Sequence, residues 1–177
     1  MGELWQGVGE RPLLVGLDEE TKGAVLLRTG VITGWLGSAK QISGAQESAK
    51  NLITESIETF EGLGKSSRVA EGQIELACCY WREGAFDEGR VWLNEALQRL
   101  REKDIEFRAK ALLQFAIIEK DSKRFLDALR IHTQAAPLFD QLQNYCLVGS
   151  FHNDFAIVLR NLGTAENRTR LHRPRFD

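Results

Sequence analysis

The chain has 177 residues, of which 43% are apolar and 27% charged, and its net charge is −2. That length suits one domain with one sizeable core, and the near balance of charge argues against a general binder of nucleic acid or anionic membrane, which carries a basic excess. The three cysteines, Cys78, Cys79 and Cys146, match no disulfide framework.

Only three prolines occur, and Ala, Leu, Glu and Arg dominate, so the expectation is helix. Cys78 and Cys79 are neighbours whose side chains diverge on a helix, which suits reduced thiols and a cytoplasmic setting. The N-terminal MGELWQGVGERPLL has an early acid and no long apolar core, unlike a signal peptide. Gln6 breaks the myristoylation pattern. No run approaches the roughly 18 apolar residues of a membrane span.

Residues 1–17 read as a lead-in, with Trp5, Leu13, Leu14 and Leu17 placed to cap the first helix. Asp18 is the expected N-cap, and Glu19 and Glu20 suit the positive end of a helix dipole. Helix is expected from there to about Ile42. Gly30, Gly34 and Gly37 weaken it by about 1 kcal/mol each relative to Ala, and they either break the helix or admit a close neighbour.

Laid on itself, the chain repeats. Leu36-Gly37 matches Leu76-Ala77, Gly44 matches Gly84, Ala49 matches Gly89 and Ser56 matches Ala96, at an ungapped offset of 40 residues. Phe115-Ala116, Phe125, Ala128 and Ala135 form a third unit at an offset of 39, and Phe155-Ala156 and Gly163 begin a fourth. The units are residues 30–69, 70–108, 109–148 and a partial 149–166, so the helical repeat region is 18–166 and an irregular basic tail is 167–177. A period of this size predicts an all-α solenoid in which each helix pair buries its face on the next.

The best unit, Leu76-Ala77, Tyr80, Gly84, Phe86, Gly89 and Ala96, resembles the tetratricopeptide repeat. The resemblance covers about 31–163 and implies a right-handed superhelix of antiparallel helix pairs. Two features depart from that family. The period exceeds the usual 34 residues, and the closing Pro is missing, while Pro137 falls inside a second helix, where it removes one backbone bond. The chain also looks like the start of longer bacterial tetratricopeptide proteins. A truncation, or a frameshift across 169–176, is therefore the expectation for its end, and the encoding DNA is the check.

Motifs for chemistry are few. No P-loop, dinucleotide fingerprint, HExxH, GxSxG or CxxC occurs. Gly62-x-Gly64-Lys65-Ser66 reads as an inter-repeat turn. Ser150, His152 and Asp154 lie too close on one helix to form a relay and read as polar surface. Cys78, Cys79 and His132 lack metal-ligand spacing and read as packing residues. The arginines at 168, 170, 173 and 175 read as a solvated tail. No catalytic residue, metal or cofactor is expected.

Surface recognition remains. In tetratricopeptide arrays the first helices of the units line a concave groove. Transferring that register places Gln41, Glu71, Ile74, Cys78, Trp81, Arg82, Lys110, Leu113, Lys120, Asn153, Ile157, Arg160 and Asn161 on the groove side. Trp81 with Arg82 has the character of a hot spot, and Lys110, Lys120 and Arg160 favour an acidic partner. The expected function is thus a protein or peptide scaffold with no enzymatic activity. The alternative is a regulatory segment of a larger bacterial signalling or transcription-control protein. The chaperone-type carboxylate clamp is not expected, because Gly34, Ser38, Ile74 and Cys78 stand at its places. Phe151, Phe155, Val158, Leu159 and Leu162 are expected on an open last helix, which either the tail folds back to cover or a second copy pairs with.

Overall fold

The structure, a computed structural model, describes the backbone of residues 5–171 and the side chains of residues 5–164. Seven helices and no strand occur among the described residues: α1 Glu19–Ala39, α2 Ala45–Gly62, α3 Ser66–Glu83, α4 Phe86–Arg99, α5 Ile105–Asp121, α6 Phe125–Phe139 and α7 Tyr145–Leu171. The all-α expectation holds. None of these helices is long and apolar enough to cross a membrane.

Local signals set the ends. Asp18 caps α1, its side chain accepting from the Thr21 N–H at 2.9 Å. The helices α1, α2, α3 and α5 each close with a paired turn around one left-handed residue: Gln41 (φ 52°), Gly64 (65°), Gly84 (78°) and Lys123 (66°). In each, the next residue's N–H reaches back five positions: Ile42 to Gly37, Lys65 to Phe60, Ala85 to Tyr80 and Arg124 to Glu119. The Gly62–Ser66 motif is one of these turns, as expected. At Lys123 a side chain occupies a backbone region that suits glycine. Lys123→Gly is expected to stabilise the fold by about 0.5–1 kcal/mol, because relief of strain exceeds the added freedom of the unfolded chain. A calorimetric scan would show a rise of roughly 2–4 °C per kcal/mol, and an unchanged or lowered midpoint would refute it.

These turns also give a second alignment of α1 on α3. By their left-handed helix-end residues, α1 and α3 align Gln41 with Gly84 at an offset of 43 residues, where the sequence alignment pairs Gly44 with Gly84 at 40. The connection from α1 to α2 runs over residues 40–44, whereas only Gly84 and Ala85 join α3 to α4. Packing agrees. A Cβ on Gly34 would lie 3.3 Å from the Ala49 Cβ, and one on Gly89 would lie 3.5 Å from the Ala77 carbonyl oxygen. On the helix-end alignment, Gly34 rather than Gly37 falls opposite Ala77. The inserted residues escaped notice because small residues recur every three or four positions along α1.

Each helix packs on the next in sequence, and α1, α3, α5 and α7 also touch in that order. The core is accordingly a strip in three linked parts. Leu27, Ile53, Phe60 and Leu76 centre the first, Ile74, Leu93 and Ile118 the second, and Leu113, Phe139 and Phe151 the third. Trp92 joins the first two, and Leu97 and Phe115 join the last two. The glycines of α1 are contact points rather than breaks: a Cβ on Gly30 would meet Ile53 Cγ1 at 2.7 Å. Pro137 lies inside the last turn of α6, two residues before Phe139, and leaves the Thr133 carbonyl without its helical N–H partner.

Three expectations need correcting. Leu13 is 56% exposed, so it caps nothing; the lead-in is held instead by buried Pro12 and by Arg11, which clasps Glu55 on α2. The backbone stays helical through Leu171, into the stretch expected to be irregular, and the rest of that stretch lies outside the described residues. On α7, Phe151 is 2% and Val158 0% exposed, so both are spent on the chain's own core and are unavailable to a second copy. Phe155 and Leu162 are half-buried, and Leu159 alone of the five is well exposed.

Candidate functional site

Several residues expected on a groove are buried against neighbouring helices. Every residue of α3 from Val69 to Cys79 is buried. Small side chains cause this: Gly72 sits against Ile57, and Ala70 and Ala77 let α5 and α4 close in. Glu71, Ile74, Cys78 and Leu113 therefore face neighbouring helices, not a partner, and are 3%, 0%, 9% and 5% exposed. Gln41 belongs to the α1–α2 turn, where its side-chain amide donates to the Ser38 carbonyl.

The inner face is instead laced by ion pairs between alternate helices. Arg28 of α1 and Arg68 both donate to Glu71 of α3. Glu75 of α3 takes Lys110 of α5. Asp154 of α7 takes Lys120 of α5 and, at 2.9 Å, the Nε2 of His132 from α6. Burial acts to lower the Lys110 pKa, but the charge and hydrogen bond of Glu75 outweigh it and hold the ammonium above its usual range. Lys110 and Lys120 are thus neutralised within the chain. The basic half-groove inferred from them loses two of its three charges; Arg160 stays exposed. Asp154 is buried rather than part of a polar surface, while Ser150 and His152 are exposed, so those three residues share no site.

His132 is fully buried between α6 and α7, stacked on Phe155 at 5.0 Å and edge-on to Phe151 at 5.1 Å. Cys79 packs in the first part of the core and is not brought near it. Burial pushes the Cys79 thiol up to about 11 and the Cys78 thiol higher still, so both stay protonated at neutral pH. Among the described residues no group of three or more His, Cys, Asp or Glu converges as a metal site. Asn153 is exposed on α7, and Asn161 is half-buried, donating to the Ile157 carbonyl of its own helix.

Trp81 and Arg82 are the expected pair that the structure does place in a pocket. Its volume is about 580 Å³, and it is lined by Trp35, Ser38, Ala39, Trp81, Arg82, Phe86 and Asp121. The pocket lies where α1, α3 and α5 end side by side. Ala39, Arg82 and Asp121 each stand two residues before the left-handed residue of their helix end. The Trp81 Nε1–H donates to Asp121 Oδ2 at 2.7 Å, which fixes the indole plane, and the Arg82 guanidinium lies 5.9 Å from the centre of that ring. Trp35 is 60% exposed, an unusual cost for so large an aromatic surface. Sequence reasoning missed Trp35, Phe86 and Asp121. The ungapped register hid that Trp35 lies near the same helix-end row as Trp81 and Arg82.

No protein-family model matches this chain, and no curated protein is significantly similar to it.

Proposed function

We propose that the chain is a protein-interaction module without enzymatic activity, built as a solenoid of tetratricopeptide-like helix pairs, and that it engages its partner at the Trp35–Trp81–Arg82 pocket. The observation that carries this reading is the exposed Trp35 facing a half-buried Trp81 and Arg82 across a preformed cleft. Aromatic and Arg side chains in such a setting supply most of the energy of protein interfaces. The row of helix ends supports the repeat reading, because successive first helices present corresponding positions to one ligand. The cluster of half-buried Lys120 with buried Asp154 and His132 supports a non-enzymatic role, since its groups are spent on each other.

The test compares partner retention by wild type, by a Trp35→Ala/Arg82→Ala double variant and by Asn153→Ala. The double variant touches exposed or half-exposed groups, so the fold is expected to survive, and circular dichroism verifies that. Retention of the partner after quantitative cross-linking and affinity capture should fall about thirtyfold or more, the roughly 2 kcal/mol of a hot-spot pair, while Asn153→Ala has little effect. Equal retention by the double variant would reject the pocket.

A further inference from the structure

The chemistry of the pocket deepens this reading and rests on it. We infer that the pocket takes an aromatic or large apolar side chain flanked by carboxylates, from an acidic segment of a partner protein. The walls are apolar: the rings of Trp35, Trp81 and Phe86. The charge balance around them decides the sign. Asp121 is already engaged, by the Trp81 N–H and by Lys120, whose Nζ lies 3.5 Å from its other oxygen. Glu83, at the end of α3, is paired with Lys50 at 3.0 Å.

Arg82 has no ion pair or hydrogen bond among the described residues. Lys40, next to Ala39 at the end of α1, is exposed and adds a second positive charge at the rim. A guanidinium held over an indole keeps its planar donors free for a carboxylate. Its positive charge, 5.9 Å from the ring centre, also disfavours a cationic ligand on that ring. The alternative occupant, a Lys or methylated ammonium gripped by the aromatic walls with Asp121, therefore meets like charge at Arg82 and a carboxylate already in use.

The experiment titrates the full chain with two dye-labelled peptides, acetyl-Glu-Glu-Phe-Glu-Glu-amide and acetyl-Lys-Lys-Phe-Lys-Lys-amide, and reads fluorescence anisotropy at low salt. The acidic peptide is expected to bind about tenfold or more tightly than the basic one, as one charge-assisted carboxylate contact allows. Arg82→Gln should reduce that preference, leaving what Lys40 supplies, and Arg82→Glu should abolish or invert it, with the helical spectrum of each variant unchanged. Equal binding of the two peptides, tighter binding of the basic one, or a preference unaltered by Arg82→Glu would overturn the inference. The interaction-module reading fails separately: it falls if partner retention survives Trp35→Ala/Arg82→Ala, and it stands if retention is lost while the peptides show no charge preference.

Discussion

Asp154→Ala is expected to cost about 3–5 kcal/mol of folding stability, the range for removing one partner of a buried ion pair. The loss comes chiefly from what is left behind. Asp154, 5% exposed, holds both the Lys120 ammonium and the Nε2 of a fully buried His132. Without the carboxylate, one charge and one ring nitrogen remain in the core, and the Nδ1 of His132 already has no partner. Asp154→Asn keeps the shape and one acceptor and should cost less.

The same contact sets an acid limb. Burial acts to raise the Asp154 pKa, but hydrogen bonds from His132 and Lys120 and the charge of Lys120 outweigh it and hold the carboxyl below its usual range. A carboxyl depressed in the folded state contributes stability that is fully present above the unfolded value of about 3.9. That contribution is lost as pH falls through the lower, folded value. Below about pH 5, urea midpoints of wild type should therefore fall more steeply than those of Asp154→Asn, and above it the two should run parallel. Parallel slopes on the acid side too would show that the carboxylate is not the group responsible.

Gly30→Leu is the second large effect, about 3 kcal/mol of destabilisation or more. A Cβ there would stand 2.7 Å from Ile53 Cγ1, 3.1 Å from the Ala49 carbonyl oxygen and 3.3 Å from the Ile53 nitrogen. The last two are backbone atoms, which yield only if α1 and α2 separate as bodies. Local helix propensity favours any other residue over Gly by up to about 1 kcal/mol, so the predicted sign is that of packing over propensity. Gly149→Ala on α7 isolates the propensity: nothing lies within 4 Å of its added methyl, and it should stabilise by about 1 kcal/mol. Chemical denaturation of both variants is the check. A neutral Gly30→Leu would mean that the two helices are not in close contact.

The two glycines look alike in the sequence, and this shows where legibility stops. Helix type, the Asp18 cap, the turn at Gly62–Ser66 and the recurring small residues follow from propensities and short-range spacing, which act within a few residues. The offset of the first unit does not. Three extra residues between α1 and α2 moved every position of α1 relative to its neighbours, and a periodic row of small residues accommodated one register as readily as the other. Trp81 and Arg82 were singled out by residue type and do line a pocket, whereas Glu71, Ile74 and Cys78 are buried, because the closeness of α1 and α5 to α3 depends on what those helices carry.

By itself, then, the sequence determined that this is a helical chain with repeating close contacts and an aromatic–arginine pair near one helix end. Only the tertiary structure decided which helix faces stay open. It sealed the inner face with Glu71, Glu75 and Asp154 ion pairs and left the helix ends of α1, α3 and α5 to form the pocket. The physical reason is that a side chain's exposure is set by partners about 33 to 43 residues away, among them Lys50 for Glu83 and Arg28 for Glu71. Spacing along one helix says which residues share a face; it does not say what that face meets.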